Sequence, residues 1–452
     1  MDPRREARHA PTDEPVVELE PEYLDERRRG ARRAPRGRID APLPSQPAQW
    51  HGATAPSGDR EPPARAAPIE DVVEGRTVHS DAGAFFHATG QHELALARIA
   101  GWPDEASRRA LAVAGRDPRL HAFALGEAAF LDTETTGLAG GTGTYAFLVG
   151  VGWIERGALR VDQFFMRDPA DEPAMLQRVD ETLRRFAWVI SFNGLAFDLP
   201  LLNTRFILNR RRSPLPAMTP LDLLLVARRL WKYRLRDRSL DGLERGLLDV
   251  QRRSDVPSHL IPDIYFRYLR TGDARLLGPV FEHNRQDIVS MALILARACE
   301  ACRTWREAQA EPAEVLGVAR AHALAGELET AHEAYARALE LGLEDPWDLM
   351  AQTAMSVHHK CREDWEEALA AWRALSAGAG RTAIWALVEL AKYDEHRRND
   401  YAGALARTAR AIDLAERAYE DLPAGLAVEA LQHRLARLRR RAAGRRVRAD
   451  PT

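Results

Sequence analysis

From about residue 127 the apolar residues of this 452-residue chain fall into a period of two. "AAFLDTE", "YAFLVGVGWIE" and "ALRVDQFFMRD" follow one another, parted by glycine-containing turns. Side chains alternate across a strand, so runs of this kind line the faces of a sheet, as in a meander. "EPAMLQRVDETLRRF" then shows helical spacing, and "WVISF" reads as a short buried strand. "DLPLLNTRFILNR" returns to a helix, with Pro200 in the first turn, where proline is tolerated. The remainder to about residue 300 is expected to be mainly helical. Three adjacent strands, a crossover helix and a further strand predict a mixed α/β sheet.

The flanks differ from this centre. Residues 1–75 are rich in Pro, Arg, Asp and Glu and bury too little to offset chain entropy, which predicts a disordered tail, with a helix conceivable at "PEYLDERRRGARR". Residues 76–125 carry scattered apolar patterns, "QHELALARIAGW" and "SRRALAVAG", expected as short lead-in helices. Beyond about 305 the chain reads as all-helical. "LETAHEAYARALEL", "DWEEALAAWRALS" and "DYAGALARTARAID" align on Ala331, Ala368 and Ala404, and seven residues on come Ala338, Leu375 and Ala411. Tyr335 and Trp372 share a position that Thr408 takes in the third unit. The pattern resembles tetratricopeptide helix pairs. Three segments are therefore expected: 1–75, 76–300 and 305–445.

Composition excludes more than it assigns. With 45% apolar residues most of the chain should fold, and a formal net charge of −2 selects no partner. Three cysteines cannot form a disulfide framework, and Cys299 and Cys302 sit in "LARACEACRTW", a helical pattern. No apolar run reaches about 18 residues and no signal peptide is read, which predicts a reduced, cytoplasmic protein without a membrane segment.

The chemistry concentrates in acids. Asp132 and Glu134 point to the same face of their strand, where two like charges repel and burial would raise at least one pKa. A divalent cation would relieve that repulsion and use both as oxygen ligands. Asp198 stands at a helix start after "VISFNGLAFD", and Asp287 follows His283 by four residues, on one helical face. "GLAGGTGT" lacks the Lys-Ser/Thr of a triphosphate-binding loop. Its backbone can approach a nucleic-acid end closely, which makes Thr135 and Gly137 candidate substrate contacts. Asn193 reads equally as a turn residue or a substrate contact, and Asp222 as a helix cap. In "RRLWKYRLRDR" the basic Arg228, Arg229 and Lys232 flank Trp231, a pattern suited to phosphates and stacked bases or, alternatively, to a solvated basic helix face with its aromatics in the core.

"LDTETTG", "NGLAFDLPLL" and "HNRQD" resemble, in order, the three exonuclease motifs of the DEDD superfamily, which has a ribonuclease-H-like fold. Within it, "LDTETTGLAGGTGT", "LDLLLVARRLW", "IPDIYFRYL" and "HNRQDIVSMALI" look like signatures of the YprB-type domain, over about 76–300. The resemblance implies a nuclease, a 3′-to-5′ exonuclease on single-stranded ends. Asp132, Glu134, Asp198 and Asp287 would hold two Mg²⁺ or Mn²⁺ ions, with His283 as general base or water-orienting group. Histidine-type relatives have one more residue between His and the last Asp; here a histidine stands at the spacing that usually carries tyrosine. Asn284 is a further candidate for orienting the site. A structure-specific endonuclease, or a nucleic-acid-binding adaptor that meets a protein partner through its helical repeats, are the alternatives. DNA and RNA are not distinguished.

Overall fold

The computed structural model describes residues 66–93, 105–137, 142–252, 255–417 and 422–449. Of the expected disordered tail, residues 1–65 lie outside the described residues, as does most of the lead-in helix at "QHELALARIAGW"; residues 66–75 are ordered instead, with a helical turn at Ile69–Asp71 that buries Ile69. One compact unit ends at Leu375 and a second begins at Ser376.

The first unit is built on a seven-stranded sheet. Its strands are β1 (Gly75–Ser80), β2 (Gly83–His92), β3 (Ala128–Thr135), β4 (Ala146–Glu155), β5 (Ala158–Phe165), β6 (Trp188–Ser191) and β7 (Thr219–Asp222), in the spatial order β1-β2-β5-β4-β3-β6-β7. β3, β4 and β5 form the expected antiparallel meander, and β6 joins β3 in parallel after a crossover helix. Three strands were not foreseen. β1 and β2 form a hairpin where short helices were expected, and β7 extends the parallel edge beside β6. The helix at "SRRALAVAG" is present as α1 (Glu105–Gly115).

Helices cover both faces. α2 (Glu172–Leu183) and α3 (Asp198–Leu208) share a core with Leu131, which packs with Val179, Leu202 and Phe206. The opposite side chain, Phe130, belongs to the core formed with α1, α4 (Leu223–Leu230) and the later turns of α6 (Leu277–Thr304), through Ile288 and Met291. α5 (Ile261–Thr271) closes the first face with Tyr265, whose ring stacks on Phe147 at a centroid distance of 4.0 Å. A buried ion pair, Glu172–Arg205, locks α2 to α3, and Arg205 also lies over the Tyr145 ring. Cys299 and Cys302 are on α6, in helix as read.

Four helices continue the same unit: α7 (Pro312–Leu324), α8 (Leu328–Glu340), α9 (Trp347–Cys361) and α10 (Trp365–Ser376). α7 presses against α4 so closely that a Cβ on Gly317 would stand 2.0 Å from the Leu230 carbonyl oxygen. The second unit holds α11 (Gly380–Tyr393), α12 (Tyr401–Glu416) and α13 (Val428–Ala449). Ala331, Ala338, Ala368, Leu375, Ala404 and Ala411, the aligned positions of the sequence, are all buried. In the second unit the buried Glu395 receives Arg434, Arg437 and Arg441. Among the described residues no helix is long and apolar enough to cross a membrane.

Candidate active site

β3 carries Asp132 and Glu134 to its C-terminal end on one face, and a register shift between Glu134 and Thr135 ends the regular ladder there. That face meets α6. Asn284 donates from Nδ2 to Asp132 Oδ2 at 2.7 Å, while its Oδ1 accepts from Gln163 Nε2 at 2.8 Å. Asn284 reaches this position because Gly150, the register partner of Asp132, has no side chain. A Cβ there would lie 2.3 Å from Asn284 Oδ1. Asp198, the first residue of α3, comes from the other side, where Thr133 Oγ1 donates to its Oδ1 at 2.5 Å. Asp287 sits one turn after His283 on α6, with His283 Nε2 at 3.8 Å from Asp287 Oδ2 and 4.0 Å from Glu134 Oε1.

A second set of groups around these was invisible in the sequence. After a π-type turn, Glu244–Leu248, the chain returns over α6 and places Arg252 on the site. Its guanidinium forks onto the fully buried Glu244 at 2.6 and 2.7 Å and donates to Asp287 Oδ1 at 2.5 Å. Ser290 donates to the same Glu244. Asp255 Oδ1 lies 2.7 Å from His283 Nδ1. No periodic pattern marks Glu244, Arg252 and Asp255. The only sequence signal was an excess of charge in "LERGLLDVQRRSD".

Burial and mutual repulsion dominate the electrostatics. Burial, then the charges of Asp287, Glu134 and Asp198, push Asp132 well above the ordinary carboxylate range. Burial pushes Glu134 up to about 8, against the opposing pull of His283, and Asp198 up to about 6. Asp287 is raised too, by burial first, although His283 and Arg252 pull it down. Burial works against a charged His283, but Asp287, Glu134 and Asp255 outweigh it and its pKa lies above the usual value. Oxygen donors whose charges are this poorly relieved suit a hard divalent cation, which fits the donor set. Among the described residues no three such side chains stand gathered tightly enough to enclose an ion as they are.

The expected substrate contacts divide. Thr135 turns its hydroxyl back onto the Gly137 carbonyl at 2.9 Å, and residues 138–141 of the glycine loop lie outside the described residues. Asn193 is a turn residue, with φ +64°, and its N–H donates to Asp222 at 2.8 Å. Asp222 also caps α4, accepting from Leu224 N–H at 3.0 Å. Trp231 cannot stack on a base: it is fully buried, and its indole N–H donates to Glu314 Oε2 at 2.9 Å. Arg229 is half-buried and donates to the Ala114 carbonyl, and Lys232 stands 5.5 Å from the Tyr233 ring centroid. Arg228 alone of this group is exposed.

A mixed sheet with three parallel strands, and acids gathered at the end of its interior strand β3, defines a protein of the ribonuclease H class. Residues 129–299 match the model of the RNase_H superfamily. Over 320 residues the chain is 32% identical to "Uncharacterized protein YprB" of Bacillus subtilis (strain 168), spanning 69% of this chain and 74% of that protein. The chain belongs to the family of that protein, within the ribonuclease H superfamily.

Proposed function

We propose that this chain is a metal-dependent nuclease that hydrolyses phosphodiester bonds, acting as a 3′-to-5′ exonuclease on single-stranded ends. One observation carries the reading: Asp198 and Asp287, from two other motifs, lie close enough to Asp132 and Glu134 on β3 for their charges to raise both of those carboxyls. The order of these motifs resembles the DEDD exonucleases, which favours this reaction within a superfamily of nuclease-type folds. Two Mg²⁺ or Mn²⁺ ions held by the four carboxylates would supply an activated water and a stabilised leaving oxygen.

The remaining residues set the stage for that chemistry. His283 donates from Nδ1 to Asp255, which leaves Nε2 directed towards Glu134 and Asp287 as a proton acceptor for water. Asn284 and Thr133 fix one oxygen each of Asp132 and Asp198. Arg252, anchored by Glu244, holds Asp287 by one oxygen and leaves the other towards the site.

End-labelled DNA and RNA oligonucleotides incubated with Mg²⁺ or Mn²⁺ test the reading. Products shortening from the 3′ end are expected. Asp132→Ala and Asp287→Ala should each lower the rate by about 10²–10³-fold, the range of losing one transition-state stabilising group, with an unchanged far-ultraviolet spectrum. Internal cuts would make it an endonuclease. No degradation of any substrate would leave a non-catalytic adaptor, with the helices after residue 305 as its working surface.

A further inference from the structure

β3, β6 and β7 run parallel, so their C-terminal ends share one edge of the sheet. The acids occupy the end of β3. The ends of β6 and β7 open into a cavity of about 460 Å³, lined by Phe192, Asn193, Leu224, Arg228, Arg238 and Ser239. No carboxylate is among these lining residues. Neighbouring strands lie ~4.8 Å apart, so β6 stands one such step from β3.

A single loop joins cavity and acids. Asn193 lines the cavity, and the next residue, Gly194, lies against the site: a Cβ on it would be 3.3 Å from Asp198 Oδ2. Asp222 holds this loop by the N–H groups of Asn193 and Leu195, at 2.8 and 3.3 Å, and the same carboxylate caps α4, which carries Arg228. The loop and the helix that form the cavity are thus tied at one point. The two cations are also distinct from their neighbours. Arg229 and Arg234 are engaged by the Ala114 carbonyl and Glu314, whereas Arg228 is exposed and has no ion-pair partner among the described residues. Arg238 spends one nitrogen on the Leu235 carbonyl. Phe192 adds a half-buried aromatic ring.

We propose that this cavity takes the nucleotide next to the phosphodiester being cut, with Arg228 and Arg238 on its phosphate and Phe192 against its base. The proposal rests on the nuclease reading. A base offered to a ring in this way must be unstacked, which selects a single strand over a duplex.

Fluorescence anisotropy of the full chain in EDTA, where no cleavage occurs, tests it with short labelled single-stranded DNA, the same sequence as RNA, and a blunt duplex. Arg228→Ala should weaken single-strand binding about tenfold and reduce the slope of log K against log salt by about 0.7, the share of one lost phosphate contact. Arg228→Lys should keep that slope. Manganese uptake, read by electron paramagnetic resonance, should match the parent in both variants. Equal affinity and slope in Arg228→Ala would overturn the proposal and leave the nuclease reading intact, whereas duplex bound more tightly than single strand would overturn the proposal and the single-strand preference together and leave only the hydrolytic chemistry. A parent chain that neither binds nor degrades nucleic acid would sink both. Whichever of DNA and RNA binds more tightly identifies the source of the nucleotide.

Discussion

A carboxylic acid buried among other carboxylates keeps its proton to a higher pH than it does in the unfolded chain. Glu134 moves from 4.5 to about 8 and Asp198 from 3.8 to about 6 on folding. In that window the folded chain binds more protons than the unfolded chain, so stability falls as pH rises. His283, also raised, acts in the same direction, since its contribution is present below its ordinary pKa and lost above the raised one. The metal-stripped protein should therefore show a falling Tm between about pH 5 and 8, and Mn²⁺ should restore it at the alkaline end. Glu134→Gln should flatten the upper part of the fall. A Tm that is level across the window in differential scanning calorimetry would refute this electrostatic account. At this scale the four acids were legible because each sits in a short motif on a recognisable element. Arg252 and Asp255 were not, because they reach the site from irregular chain. Trp231 was misread because an aromatic among arginines looks the same whether it faces solvent or is drawn inward by a carboxylate 83 positions away.

At the scale of elements, the approach of α6 to the sheet decides whether Asn284 can hold Asp132. Gly150 and Gly152, two apart in β4, both face α6, and a Cβ on either would collide with Ile288 at 2.6 and 2.4 Å. Gly150→Ala should destabilise the chain by ~1–3 kcal/mol, the usual range for overpacking. It should also weaken manganese uptake by displacing Asn284. Urea titration and paramagnetic resonance together check this, and an unchanged midpoint would show that α6 yields freely. Long periodic segments gave correct elements, among them β3 to β5, α2, α3 and α6. β7 escaped because four residues with a proline carry no readable period; its edge position and its pairing with β6 make it a strand. β1 and β2 escaped because histidines and small residues interrupt their alternation.

At the scale of the whole molecule, the helices that follow the sheet pack with it for some seventy residues beyond the point where the all-helical pattern begins. A boundary was expected near residue 305, yet the compact unit runs to Leu375. Its core mixes Leu230 and Trp231 with Trp305, Val315, Leu316, Ala334 and Ala351. A chain ending near residue 377 should keep a single cooperative melt, whereas one ending near 305 should expose Trp231 and aggregate. Circular dichroism melts and light scattering of the two truncations decide between the boundaries, and a well-folded shorter chain would favour the earlier one. Helices packed on a sheet and helices packed on each other share one amphipathic pattern, so the sequence does not separate the two boundaries.

Glu314 accepts the Trp231 indole and pairs with Arg234 and Arg297, so one late carboxylate closes groups laid down long before it. On the ribosome this has a cost in time. When Asp287, the last of the four clustered acids, has emerged, the partner that satisfies Trp231, Glu314, is still held inside the exit tunnel. The nascent polypeptide therefore waits, with an open hydrophobic seam exposed to chaperones, until the helices that seal it leave the exit tunnel.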